Sequence, residues 1–138
     1  MRTVTGDSMS LLVWVALGGA LGAVARYGLS GWVQSGSAGT FPWGTLVVNV
    51  LGCFLLGFAF RVLQLSALSP ALRGAVTVGF LGAFTTFSTF SFEAIGLIQD
   101  GRWGRAVGYI GGSVALGLIA VLAGLWIAAS LQRPGGVS

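Results

Sequence analysis

Four apolar stretches, each long enough to cross a bilayer, constrain this chain more than any other feature. They run from Leu11 to Val33, Phe41 to Leu63, Leu72 to Ile98 and Gly104 to Leu131. A helix needs about 20 predominantly apolar residues to span the hydrocarbon core. In lipid every backbone N–H and C=O must be paired within the protein, so apolar runs of this length form helices. The sequence predicts an all-α membrane protein with four transmembrane helices per subunit. Residues 1–10 and 132–138 are expected to be short disordered tails, and the loops are too short to hold a soluble domain. The first stretch is too long for the apolar region of a signal peptide, and no clean small-residue cleavage site follows it, so it is expected to be retained.

Charge supports the same reading. Only 7% of the 138 residues are charged and the mean hydropathy is +0.92. An average soluble domain carries roughly 25% charged residues, so this chain cannot clothe a water-facing surface. Its 24 glycines are scattered through the apolar runs, as they are in membrane helices. The net charge of +4 comes from seven Arg and three acids, spread among helix ends without a basic run. That pattern gives no support to nucleic-acid binding. One cysteine, Cys53, excludes an internal disulfide and a cysteine metal cluster.

The distribution of arginines bears on topology. With four spans, both tails and the middle loop share one side, holding Arg2, Arg61, Arg73 and Arg133; Arg26, Arg102 and Arg105 fall to the other. A cytoplasmic side normally shows a clear basic excess. Four against three is nearly balanced, so the chain can insert either way round, or a subtler cue selects one orientation. Two oppositely oriented copies would resemble the inverted repeats of single-chain transporters. Trp14, Trp32, Trp43, Trp103 and Trp126 lie near expected span ends, where interfacial aromatic residues collect. Pro70 suits a helix start.

Polar residues within the spans are few, and in membrane helices such residues normally face a bundle interior or a water path. They are Arg26, Thr45, Asn49, the run Thr85, Thr86, Ser88, Thr89 and Ser91 with Glu93, then Tyr109 and Ser113. Arg26 is either a topology anchor or a fixed positive charge beside an anion vestibule. An Arg at mid-span costs about 2.5–3.5 kcal/mol on insertion scales, and a structural or electrostatic role suits it better than direct ligation. Thr45 and Asn49 share a helix face at spacing four. The Asn49 amide can donate to an anion or bond a neighbouring helix.

The third stretch is the richest. It reads GFLGAFTTFSTFSFE from Gly79 to Glu93. Gly79 and Gly82 weaken the helix ahead of hydroxyl residues that bond back to the chain and bend it. The expectation is a break near Gly82 to Thr85, whose freed carbonyls need satisfying; a hard monovalent cation suits them. Phe87 and Phe90 share a face, and aromatic rings present positive edges, so the pair is either packing or an edge-on cradle for a small anion. The fourth stretch carries Gly104, Gly108 and Gly112 at spacing four, a stripe that permits close helix contact, with the Tyr109 and Ser113 hydroxyls nearby. Without His, and with one intramembrane carboxylate, no catalytic constellation can be assembled. The chain is not expected to be an enzyme.

Three segments carry a resemblance: GGALGAVARY (Gly18 to Tyr27), WGTLVVNVLGCFLLG (Trp43 to Gly57) and the third-span motif just quoted. They resemble the signatures of the Fluc/CrcB family of fluoride channels, and the likeness covers all four spans in order. The resemblance implies a bacterial-type inner-membrane protein that assembles as an antiparallel dual-topology homodimer. It implies fluoride export down the electrochemical gradient, relieving fluoride toxicity, with a structural sodium ion (Na+) at the dimer interface. By motif position that ion would be held by the carbonyls of Gly82 and Thr85. Phe87, Phe90 and Asn49 match residues that line the fluoride path, with Ser88 and Thr89 in the same hydroxyl-rich stretch. Tyr109 and Ser113 match polar residues of the fourth span, and Arg26 and Glu93 match charged positions near the vestibule and the third-span end. One departure is Gly117, where some members carry a further hydroxyl.

Two other functions compete. A small multidrug-type, proton-coupled exporter also has four spans, but it would need a carboxylate in the first, and Leu11 to Val33 has none. A non-transporting assembly subunit, joined through glycine stripes, leaves Asn49 and the Thr and Ser cluster without a purpose.

Overall fold

A computed structural model describes residues 6–132. The described chain is helical, with α1 (Gly6–Ser35), α2 (Trp43–Gln64), α3 (Pro70–Gly74), a π-helical stretch Ala75–Leu81, α4 (Gly82–Phe84), α5 (Phe87–Gln99) and α6 (Trp103–Leu131). Four units of this order are long and apolar enough to cross a membrane: Ser8–Ser35, Trp43–Gln64, Pro70–Gln99 and Trp103–Leu131. The expected spans therefore stand, with shifted ends. The largest shift is at the start: α1 begins at Gly6, so residues 6–10 are helix rather than disordered tail. The expected C-terminal tail lies outside the described residues beyond Gln132.

The third span is the composite one. Ser69 caps its start, its hydroxyl accepting from the Leu72 N–H, and Pro70 occupies the first turn, where a missing N–H costs nothing. The chain then widens to π geometry over Ala75–Leu81 and returns briefly to α geometry. It breaks at Thr85 and Thr86, both extended, with φ −92 and ψ 158 at the first and φ −148 and ψ 113 at the second. Thr86 restarts the helix as the N-cap of α5, its hydroxyl accepting from the Thr89 N–H, a cap that satisfies one orphan donor of the first turn.

Spans pair one with three and two with four. A Cβ placed on Gly18 would fall 2.2 Å from the Ala75 carbonyl oxygen, and one on Gly22 would fall 2.1 Å from that of Phe80. Residue numbers rise together along both partners, so α1 and the third span run parallel. In the same way Gly57 abuts the Val121 carbonyl on α6, and Gly124 abuts that of Phe54 on α2. Small residues let membrane helices approach backbone to backbone, which maximises dispersion contact where lipid gives no hydrophobic driving force.

The glycines have distinct settings. Gly79 lies in the π-helical stretch, and a Cβ there would lie 2.6 Å from the Val15 carbonyl oxygen, so the glycine also serves the approach of α1. The Gly104, Gly108 and Gly112 stripe touches no helix of its own chain, since a Cβ at each meets nothing within 4 Å. The intrachain contact of α6 is made instead by Gly117 and Gly124.

A buried cluster of Leu46, Ala94, Leu97, Ala106 and Tyr109 joins α2, α5 and α6 at one end of the bundle. Much of the remaining surface is apolar and exposed, including Leu21 and Val24 on α1 and Leu118, Leu122 and Trp126 on α6. Exposed apolar flanks on every side are what lipid contact requires.

Candidate functional site

The break in the third span is held open by one side chain from α2. Asn49 uses both ends of its amide on a single residue: Nδ2 donates to the Thr86 carbonyl at 3.0 Å, and Oδ1 accepts from the Thr86 N–H at 2.8 Å. In an uninterrupted helix that N–H would close onto the carbonyl of Gly82. Asn49 takes it instead. The N–H of Thr89, which would otherwise reach the carbonyl of Thr85, goes to the Thr86 hydroxyl at 3.2 Å. The two carbonyls expected to be freed, Gly82 and Thr85, thus lose their helical partners to side chains. Between them Ala83 is provided for separately: its carbonyl accepts from Arg26 Nε at 3.0 Å. Arg26 is therefore a strut from α1 to the break.

Beside the break opens a cavity of about 260 Å³ between α2 and the third span. Asn49, Gly82, Thr85, Thr86 and Phe87 line it, with Gly52 and Cys53 on the α2 side. Gly52 is needed there because a Cβ would strike the Thr85 methyl at 2.2 Å. The Thr86 hydroxyl donates to Thr89 Oγ1 at 2.9 Å and lies 3.3 Å from Ser88 Oγ, so the hydroxyl-rich stretch forms one local network.

From there a polar line continues along α5. Phe87 and Phe90 sit with ring centroids 5.7 Å apart, and Phe90 stands 5.2 Å from the Tyr109 ring. They differ in setting: Phe87 is 80% exposed, whereas Phe90 packs on the buried cluster. One turn on, the Glu93 carboxyl receives two hydrogen bonds, from Thr45 Oγ1 at 2.8 Å and from the Tyr109 hydroxyl at 2.7 Å. Thr45 and Tyr109 are both buried. Thr86, Phe90, Glu93 and Leu97 share one α5 face by their spacing. The line from Thr86 to Glu93 covers about 10 Å at 1.5 Å per residue, about a third of the roughly 30 Å hydrocarbon core.

Ser113 is also inside, and its buried hydroxyl makes no hydrogen bond. Native structures leave few such groups unsatisfied. Arg26 and Glu93 do not meet: each is committed to other partners, and no ion pair is recorded among the described residues. Thr45 stands out in the sequence as a polar residue in a span, yet its pairing with Glu93 and Tyr109 is not readable there, because it joins three separate spans. Gln34 is a further addition. It fastens the α1–α2 loop by donating to the Phe41 carbonyl and accepting from the Gly44 N–H, both at 3.2 Å.

Fold and site together define a multi-pass membrane protein with a broken third span and a line of polar and aromatic side chains between its helices. The family model described as CrcB-like protein, Camphor Resistance (CrcB), matches residues 13–125. The chain belongs to the CrcB family. Among its relatives, a protein of Acidobacterium capsulatum is 52% identical over 114 residues, covering 82% of this chain and 91% of its own length. One of Hahella chejuensis is 54% identical over 119 residues, covering 86% and 94%. One of Opitutus terrae is 49% identical over 132 residues, covering 93% and 99%. Each of the three is named a fluoride-specific ion channel, FluC.

Proposed function

We propose that this protein is a fluoride-selective ion channel that lets cytoplasmic fluoride leave the cell down its electrochemical gradient and so limits fluoride toxicity. The observation that carries the reading is the continuous line of donors and rings from the clasped break to Glu93, in a chain about half identical to proteins named for that activity. Fluoride is small and strongly hydrated, so a path must offer replacement donors while binding weakly enough to release it. The second amide N–H of Asn49, the Ser88 and Thr89 hydroxyls, the Ser113 hydroxyl and the edges of Phe87 and Phe90 are those donors. Tyr109 acts mainly through Glu93. Such a channel is a conduit and carries out no covalent chemistry.

A sodium ion fits the break. Carbonyl oxygens stripped of their amide partners are hard, neutral ligands, and those of Gly82 and Thr85 are in that state because Asn49 and Thr86 have taken the amides. A bound monovalent cation would supply the positive charge that fixes two such ends against each other. Gly82 and Phe87 are exposed on the single chain, and the outward Gly104, Gly108 and Gly112 stripe lacks an intrachain partner. Both suit a homodimer, and near-balanced arginines suit one of antiparallel, dual-topology copies in a bacterial-type inner membrane. The proton-coupled exporter has less in its favour: the one acid of α1, Asp7, stands in its first turn, ahead of the apolar span.

The test is fluoride efflux from liposomes containing the purified protein. Electrogenic fluoride release far faster than chloride release is expected; equal chloride flux, or none of either, overturns the proposal. Phe87→Ile is the informative variant, since an 80% exposed ring contributes little packing in the chain. It is expected to lower flux by at least tenfold with the protein still folded.

A further inference from the structure

A second cavity, of about 290 Å³, lies at the opposite end of the polar line. One wall is the end of α1 and the α1–α2 loop, with Gln34 and Thr40; the other is the last two turns of α5 and its C-cap, with Glu93, Gly96 and Asp100. The loop wall is fixed at both ends. Gln34 ties it to the start of α2, and Arg105 from α6 donates to Thr40 Oγ1 at 3.2 Å. The α5 wall ends in a closed turn. Gly101 takes φ 72, and the N–H groups of Gly101 and Arg102 return to the carbonyls of Ile98 and Leu97 at 2.9 and 2.8 Å, which is a Schellman ending. The carbonyls of Gly96, Leu97 and Ile98 are therefore used within the turn. What the rim presents is the exposed carboxylate of Asp100, which has no hydrogen-bond or ion-pair partner among the described residues, while Arg105 is committed to Thr40. The inner end of the cavity is Glu93, which the Tyr109 and Thr45 hydroxyls already link to the line of donors.

We propose that this cavity is the aqueous mouth of the conduction path on the side away from the helix break, and that Asp100 on its rim sets the rate at which fluoride passes. The inference rests on the channel reading and adds to it a location and a charge. A carboxylate at the mouth depletes a monovalent anion near the opening. The effect of one charge some 10 Å from the ion is about twofold in water. Salt decides its reach: the Debye length is about 30 Å at 0.01 M and about 3 Å at 1 M. Asp100 therefore slows fluoride at low ionic strength and becomes irrelevant at high ionic strength, whereas a structural role would not vary in this way.

The experiment uses the full-length protein in liposomes. Asp100→Asn is expected to raise fluoride efflux about 1.5- to twofold at 10 mM ionic strength and to leave it at the wild-type value at 1 M. A ratio of variant to wild type that is the same at both salts, or a fall in flux at low salt, overturns the role of Asp100. The mouth is tested separately at Gly96, where a side chain meets nothing within 4 Å. Gly96→Cys in a Cys53→Ser background, labelled with a sulfonate-bearing methanethiosulfonate, is expected to lose at least ninety per cent of its flux. Quantitative labelling, verified by mass, with flux retained places the mouth elsewhere. Wild-type protein that passes no fluoride at any salt defeats the channel reading itself, an outcome distinct from both.

Discussion

Glu93 is the residue on which the interior turns. Its two carboxyl oxygens are each held by a different helix, Thr45 from α2 and Tyr109 from α6. Removing either donor leaves a part-buried acceptor with half its partners, which costs about 1 kcal/mol. Tyr109→Phe and Thr45→Val are each expected to lower stability by that order in detergent thermal unfolding. Because both donors act on one carboxyl, the double variant should depart from additivity by at least 0.5 kcal/mol. Strict additivity would mean the two bonds are energetically independent. At this scale the sequence is only half legible. Each polar residue can be picked out because polar residues are rare in a span, but which of them meet depends on which spans pair. Asn49 shows the same limit. Its type and depth mark it as important, yet nothing local foretells that both ends of its amide would close on Thr86.

At the scale of elements, glycines do two jobs that spacing alone cannot separate. Gly18, Gly22, Gly57 and Gly124 are packed against backbone, whereas Gly104, Gly108 and Gly112 face outward. Gly22→Ala is expected to disrupt the α1 pairing with the third span and to sharply lower the yield of folded protein, because its Cβ would sit 2.1 Å from a carbonyl oxygen that cannot retreat. Gly108→Ala is expected to leave the folding of the chain unchanged; comparing detergent-stable yields of the two decides it. The regular spacing of the second set draws attention in the sequence, while the contacts belong to the first. The broken span was more legible. A run of Thr and Ser after Gly82 signals irregular backbone, and the break falls at Thr85 and Thr86, at the far edge of the expected interval. The preceding π-helical stretch, which packs against α1, carries no comparable signal.

For the molecule as a whole, four spans follow directly from hydropathy, and only their ends move. The orientation argument changes more. Arg26 is bonded to Ala83 inside the bundle and so is not a loop charge. Setting it aside turns the sequence count of four against three into four against two. The case for opposed copies therefore rests more on the unpaired stripe and the exposed break than on arginines. If a sodium ion joins two copies at that break, purification with sodium replaced throughout by a larger organic cation should reduce the dimer fraction in size-exclusion chromatography, and restoring sodium should recover it. A dimer fraction indifferent to sodium would remove the ion from the interface.

The interleaved pairing of spans, one with three and two with four, has a consequence for synthesis. Neither pair consists of neighbours in the chain, so as segments leave the ribosome the first must wait in the membrane for the third. The second must wait for the last. Neither of these close pairings can form within the first half of the chain, where α1 and α2 meet closely only near Ser30 and Gly44, and α2 gains its long backbone partner only with the final span. Assembly is thus committed late, and a chain interrupted before α6 would expose Thr45 and Glu93 to lipid without Tyr109 to complete their network. Such a product would be marked for quality control by its polar residues and not by its length.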